Sequence, residues 1–549
     1  MIHINNIYIK MKNMVIVTVM AVLSTIVLTG CNDYLDVTPT STLTDASFFH
    51  NLTEMNQGLT GVYNRLLPIS LHRLYLSEMR SDNFWIPNSD ESTSSQNDIV
   101  RFDATNLPDN SLVLAAWQDY FSLVSSANYF IYKLENADFE ISDKLYKEYM
   151  GEARFLRALA YFDLVRLWGN VPVSTTWISA DDALALKQST PAEVYNNLIV
   201  PDLQYAVDNL QPIAIQTDGD TESTSASRAS KYAAEALLGE VYMTMAGFPV
   251  KDTSAKDKAI TCLQDVITNF SATGKTVAST EKEWNKMWCS DNDNKYFLFE
   301  IQYANDANES LGNPLTPQSI TRKVAINYMT GYQYQNIIAT TSSNLYVSPY
   351  DLGKHFYAGK AGADSTDHRA WATISYKSNA TTSLYFTKFF EHTEKTDSIG
   401  CTNVVPLLTS SSKWPQDFPL IRLENVKLLL AEALGMENGL SYLNEIHTRA
   451  GMKAYTTADF DDENAYQEAV LDERRWEFAE EGVRWFDLVR TNKYVEKMKL
   501  HLTENADLNS SWEYMGWYSS NINENSYLYP IPTQQIEVRE GLYVQNPGY

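Results

Sequence analysis

The densest group of side chains able to do chemistry is acidic. Asp472, Glu473, Glu477, Glu480 and Glu481 fall within ten residues, among Arg474, Arg475, Arg484 and Arg490. Two carboxylates facing each other across a cleft would suit glycosidic bond cleavage, one as acid and one as base or nucleophile. The spacing points elsewhere. Glu480 and Arg484 are four apart, Asp487 and Arg490 three apart, and both separations make neighbours on a helix surface. Carboxylates beside guanidinium groups stay ionised, which is wrong for a general acid. The cluster therefore reads as a structural ion-pair network. A hydrolase would have to draw its acid from elsewhere, with Glu78, Asp82 and Glu300 as the candidates.

Other reaction classes lack their residues. Gly274-Lys275-Thr276 resembles the end of a phosphate loop, but Asn269 stands where the first glycine is required. Asp291-Asn292-Asp293-Asn294 resembles the start of a calcium loop, but Lys295 and Tyr296 come next, where a ligand and a glycine belong. The histidines show no HExxH spacing, no CxxC pair exists, and no G-x-S-x-G elbow occurs. No metal and no cofactor is expected. The formal net charge of −25 argues against nucleic acid, whose binding rests on neutralising phosphates with Lys and Arg.

The elements that would carry such groups are mainly helical. Apolar residues recur at steps of three and four over Leu112–Leu134 and Leu145–Leu167, and a shorter stripe runs from Leu52 to Leu66. Gly169 and Pro172 lie just beyond Trp168 and predict a helix stop there. Thr190-Pro191-Ala192-Glu193 predicts a capped helix start. The pattern gives four helix pairs: 112–135 with 144–168, 191–210 with 228–247, 255–270 with 421–435, and 440–451 with 465–491. Alanines at 153, 160, 233, 236, 431 and 433 allow close approach. The fold class is mostly α, a tetratricopeptide-like scaffold of degenerate helical pairs. A large loop-rich, mixed subdomain is expected with it, drawn from the polar and aromatic stretches 68–110, 271–415 and 493–549.

Lys10 and Lys12 precede an apolar run from Val15 to Leu28, which is too short to span a membrane as a helix. Leu28-Thr29-Gly30-Cys31 closes it. This pattern predicts a secretory signal over residues 1–30, cleaved before Cys31, with Cys31 lipidated as in a bacterial lipobox. Of the other cysteines, Cys262 falls in a helical pattern and is expected to pack as a small hydrophobe.

Motifs along the whole chain resemble the SusD/RagB family of outer-membrane lipoproteins of Bacteroidetes. They are Cys31-Asn32-Asp33-Tyr34-Leu35-Asp36; the run Gly151 to Phe162; Leu167-Trp168-Gly169-Asn170-Val171-Pro172; Thr190 to Tyr195; Ala431-Glu432-Ala433; Glu473 to Phe478 with Glu481 to Leu488; and Leu528 to Pro532 with Gln545 to Tyr549. The resemblance implies a signal peptide (1–30), an N-terminal region with helical pairs (31–270), a loop-rich insertion on the binding face (271–415) and a C-terminal region closing the scaffold (416–549). It implies a non-catalytic surface protein that holds a glycan and passes it to a SusC-like TonB-dependent transporter, anchored through its N-terminal lipid. A peptide-binding helper on the same scaffold, or a surface glycoside hydrolase, are the alternative readings.

A glycan offers C–H faces to aromatic rings and hydroxyls to Asn, Asp, Arg and Gln. Glu78-Met79-Arg80-Ser81-Asp82-Asn83-Phe84-Trp85 leads into a polar loop. Trp85 is the expected stacking platform, with Arg80, Asp82 and Asn83 as its polar partners. The competing reading is that Asp82-Asn83 caps the local fold and Trp85 packs. Tyr332 and Tyr334 form a second candidate, with Tyr328, Tyr346 and Tyr350 nearby; two apart, they would point the same way on an extended segment. Trp168, Trp476 and Trp485 are assigned to the core, and Trp284 and Trp288 are expected to pack.

Overall fold

The computed structural model describes residues 48–84, 94–218, 221–224, 227–289, 294–304, 311–315, 350–357, 367–376, 384–386, 388–389, 415–504 and 519–549. The chain is mostly helical. Helix α1 (Leu52–Asn64) starts at Asn51, whose side chain accepts from the Glu54 amide. Helices α2 (Ser111–Glu135) and α3 (Asp143–Trp168) form an antiparallel pair, capped by Asn110 and Ser142. Gly169, at φ 69°, ends α3 as its position predicted. A Cβ there would lie 2.8 Å from Leu528 Cδ1, so the stop is also a close approach to the C-terminal segment.

The capped start at Thr190 forms as expected. Thr190 Oγ1 accepts from the Glu193 amide at 3.4 Å, and Glu193 accepts from the Thr190 amide at 2.8 Å. Pro191–Val194 and a π-helical turn at Tyr195–Ile199 lead into α4 (Val200–Asn209). Helix α4 packs on α3 and on α5 (Lys231–Ala246), and α5 packs on α6 (Ala255–Thr268). Cys262 sits half-buried on α6.

Helix α6 meets α7 (Leu423–Arg449), and α7 meets α8 (Glu463–Phe478). All four expected pairings are thus present. Helix α7 is one run broken at Gly435 (φ 73°), so the two expected segments 421–435 and 440–451 are its two arms. The expected helix over 465–491 is instead two. It stops at Phe478 and resumes as α9 (Arg484–Arg490), with Glu480 (φ 72°) and Gly482 (φ 75°) turning the chain between them.

Among the described residues the strands make two-stranded antiparallel ribbons. One pairs β1 (Phe299–Ile301) with β4 (Phe418–Ile421), tying together two segments far apart in sequence. Another pairs β2 (Ile374–Tyr376) with β3 (Leu384–Phe386). Among the described residues a large apolar core runs through the helices and takes in Trp168, Trp284, Trp288, Phe299 and Phe386, with smaller clusters around Trp485 and around Tyr466. Trp284 and Trp288, four apart, pack edge to face at 5.3 Å, and Trp485 is fully buried. Trp476, expected in the core, is only half-buried and lies flat on His355 at 3.7 Å. No helix among the described residues is long and apolar enough to cross a membrane.

Candidate functional site

Arg80, Asp82 and Asn83 are in the core and not on a ligand-facing surface. Their exposures are 0%, 2% and 0%. The Asp82 carboxylate takes both arms of Arg484, from Nε at 2.7 Å and Nη2 at 2.8 Å. Arg475 donates from Nη2 to the Asp82 carbonyl and from Nε to Asn83 Oδ1 at 3.1 Å. Asn83 Nδ2 donates to Glu78 Oε2 at 2.9 Å. Glu78 in turn accepts from the amides of Glu480 and Val483 in the turn between α8 and α9, and of Arg484 at the start of α9.

This corrects the sequence-based assignment of these three residues as glycan contacts. Asp82 and Asn83 are engaged inside the protein, because Arg475 of α8 and Arg484, just after the turn at 479–483, are brought onto them, whereas Arg80 is buried with only its Nη2 hydrogen-bonded among the described residues. Burial alone would raise the Asp82 pKa, but Arg475 and Arg484 outweigh it and hold the carboxyl well below the usual range. Among the described residues no cation pairs with Glu78 to compensate. Burial raises it, with the hydrogen bonds from Asn83 and the backbone opposing.

Arg80 serves the same joint differently. Its guanidinium lies over Phe102 and Tyr529, 4.3 Å from each centroid, and donates to the Ser526 carbonyl at 2.9 Å. The next residue after Asn83, Phe84, is buried and stacks on Phe386 of β3 at 4.6 Å and 24°. Residues 78–84 therefore form a clamp that joins the N-terminal segment, the α8–α9 turn, the C-terminal segment and the β2–β3 ribbon. The chain reaches position 85 directly from this fixed base. Trp85, Tyr332, Tyr334 and Cys31 lie outside the described residues.

The acid–arginine cluster is an ion-pair network, with partners that local spacing did not give. Glu477 accepts from Arg369, Arg422 and Arg449; Glu481 takes Arg422 and Lys388; Glu473 takes Arg369 and His447. Burial works against ionised Glu477, but Arg449, Arg422 and Arg369 hold its pKa far down. Arg474 and Arg490 share Asp487 at 2.8 Å each. The Asp487–Arg490 neighbours were anticipated, but the anticipated Glu480–Arg484 pair is replaced by Asp82–Arg484. Glu300 is different in kind: it is 1% exposed, and burial together with the neighbouring Asp417 pushes it up to about 8.

Two exposed aromatic side chains escaped the sequence reading. Tyr132 and Trp177 are 39% and 47% exposed and lie against each other. Nothing in their spacing distinguished them from core aromatics.

Comparison with known proteins fits this architecture. A family model described as "SusD family" matches residues 318–549, and one described as "Starch-binding associating with outer membrane" matches residues 33–243. The chain is 26% identical over 515 residues to SusD-like protein P38 of Formosa agariphila, covering 89% of this chain and 93% of that one. A solved SusD homolog from Bacteroides thetaiotaomicron superimposes with a TM-score of 0.74 at 22% identity, over 92% of this chain and 99% of its own. Surface glycan-binding protein A from the same organism, solved in complex with laminarihexaose, gives 0.66 at 18% identity, over 90% and 99%.

Proposed function

Because the chain belongs to the SusD/RagB family, we propose that it is a cell-surface lipoprotein that captures oligo- or polysaccharide without cleaving it and delivers it to a SusC-like TonB-dependent transporter. Cys31 would carry the lipid that holds it to the outer membrane. The observation that carries this reading is the buried clamp at residues 78–84. It fixes Phe84, the residue that precedes Trp85 in sequence, and a fixed neighbour lowers the ordering cost of gripping a flexible sugar. The laminarihexaose complex of a protein with the same fold supports the choice of glycan as ligand.

Capture without cleavage is supported by the state of the acids. Asp82 and Glu477 are bound by arginine and stay ionised, so neither can donate a proton to a glycosidic oxygen. Glu78 and Glu300 are fully buried among protein groups. Trp85 is the proposed stacking platform, with Tyr332 and Tyr334 as the second group of rings.

The test is direct. The chain from residue 32 to 549 is applied to arrays of glycans and of peptides, and any retained glycan is assayed for new reducing ends. Retention of glycan without new ends is expected. Binding to peptides alone would overturn the sugar assignment, and release of reducing ends would overturn the non-catalytic one.

A further inference from the structure

Among the tryptophans whose burial is described, all but one are buried or shielded. Trp117, Trp168, Trp284, Trp288 and Trp485 are at most 3% exposed, and Trp476 lies half-buried against His355. Trp177 is 47% exposed. Leaving such a side chain in water forgoes part of the free energy of its burial. Its nearest ring is Tyr132, the other exposed aromatic, with centroids 5.1 Å apart and planes tilted by 32°. Tyr129 supports Trp177 edge-on at 5.7 Å and is itself braced by Phe49 at 5.9 Å.

The ledge is held rigidly from both sides. Tyr129 and Tyr132 are three apart on α2 and so share a face. Trp177 comes after a segment pinned by buried groups. Arg157 Nη1 donates to the Thr175 carbonyl at 2.6 Å, the Ser174 amide donates to Tyr161 Oη at 2.9 Å, and Asn128 Nδ2 donates to the Ser174 carbonyl at 3.0 Å. Arg157 is itself fixed by a two-armed pair with Asp202 at 2.7 and 2.9 Å. A buried ion pair thus sets the position of an exposed indole.

We propose that Tyr132 and Trp177 form a second saccharide-binding ledge, on the helical scaffold. The two rings give C–H faces of a sugar a shallow, open platform. Thr175 and Thr176 are exposed beside Trp177 and offer hydroxyl partners, their carbonyls already accepting from Arg157 and Ser174. The neighbouring stretches of sequence carry exposed Asp138, which meets His50 at 3.2 Å, and Asp181, acids that disfavour an anionic lipid surface. A two-ring ledge is also smaller than the roughly 800 Å² per partner of a stable protein interface. The inference rests on the glycan reading above and adds a site to it. With two sites on one molecule, a long polymer gains avidity that a short oligosaccharide cannot.

The test uses the full mature protein in native gels cast with laminarin, starch or inulin, alongside titration with laminarihexaose. The double substitution Tyr132→Ala, Trp177→Ala is expected to weaken polymer retention at least fivefold and to change hexasaccharide affinity less than twofold. Trp177→Phe keeps a ring and should recover most of the retention, which a folding defect would not allow. Unchanged polymer retention in the double variant, with retention lost in Trp85→Ala, overturns the ledge and leaves the glycan reading standing. Retention unchanged but a membrane partner no longer co-purified would assign the ledge to protein contact and overturn the sugar inference. Failure of the unsubstituted protein to be retained in all three gels overturns both.

Discussion

Asp82 and Arg484 are 402 positions apart in sequence and form a two-armed ion pair with 2.7 and 2.8 Å bonds in a fully buried site. Removing one partner of such a pair leaves an uncompensated charge in the core, at a cost of about 3–5 kcal/mol. Asp82→Asn and Arg484→Leu should each lower stability in urea by that order. The two together should cost less than their sum, because Arg484 no longer stands buried without its carboxylate, although Arg475 still loses its contact with Asp82. Additive costs in a double-mutant cycle would show that the pair does not act as a unit. The pH dependence has a definite sign. Asp82 is held below its unfolded value of about 4, so its contribution is present above that pH and is lost as pH falls towards the folded pKa. Asp82→Asn should flatten this acid limb.

Glu300 gives the opposite sign. Burial and then Asp417 push its folded pKa up to about 8, and burial pushes Asp417 up to about 7. The folded protein therefore holds a proton that the unfolded chain releases near pH 4. Its contribution is complete below that pH, and stability declines as pH rises towards 8. Glu300→Gln removes the ionisation while keeping the shape. The variant should match the parent near pH 4 and exceed it increasingly up to pH 8. A stability difference that does not change across this range would refute the shifted carboxyl.

The helical scaffold was legible in the sequence because its signals are local. The stripes at steps of three and four, the Thr190 cap and the Gly169 stop each depend on neighbours within a turn or two. The clamp was not legible, because its partners are not local. Asp82 and Asn83 sit in a polar run that reads as surface, and only the arrival of Arg475 and Arg484 makes their burial tolerable. The same cause misdirected the acidic cluster. Its character as an ion-pair network was read from acids and arginines spaced three and four apart, but Glu480–Arg484 required a continuous helix, and the chain turns at 479–483. Trp177 was overlooked for a related reason. Exposure of a ring depends on what fails to pack over it, and spacing carries no record of that.

The turn at 479–483 has little room for side chains. Gly482 has φ 75°, and a Cβ there would stand 2.4 Å from Arg73 Cβ. Gly482→Ala therefore combines a left-handed backbone with a clash against a buried side chain, which together should cost about 2–4 kcal/mol. The damage should spread to the clamp, since Val483 and Arg484 donate their amides to Glu78. Hydrogen exchange at these two amides should accelerate more than exchange within α2 and α3. Uniform acceleration across all helices would mean that the turn does not act locally.

Trp85 and Phe84 are adjacent, yet they are expected to do different jobs. Phe84 is buried and stacked on Phe386, so Phe84→Ala should lower stability by about 3–5 kcal/mol, as for other buried aromatics. Trp85 is the next residue beyond the clamp, and as the proposed sugar platform it should behave in reverse. Trp85→Ala should weaken glycan binding at least tenfold, about 1.4 kcal/mol, while unfolding at nearly the same urea concentration as the parent. Calorimetric titration and urea unfolding on both variants separate the two roles. If Trp85→Ala is destabilised like Phe84→Ala and its residual folded fraction binds normally, the indole is a packing residue and the platform must be sought among Tyr332 and Tyr334.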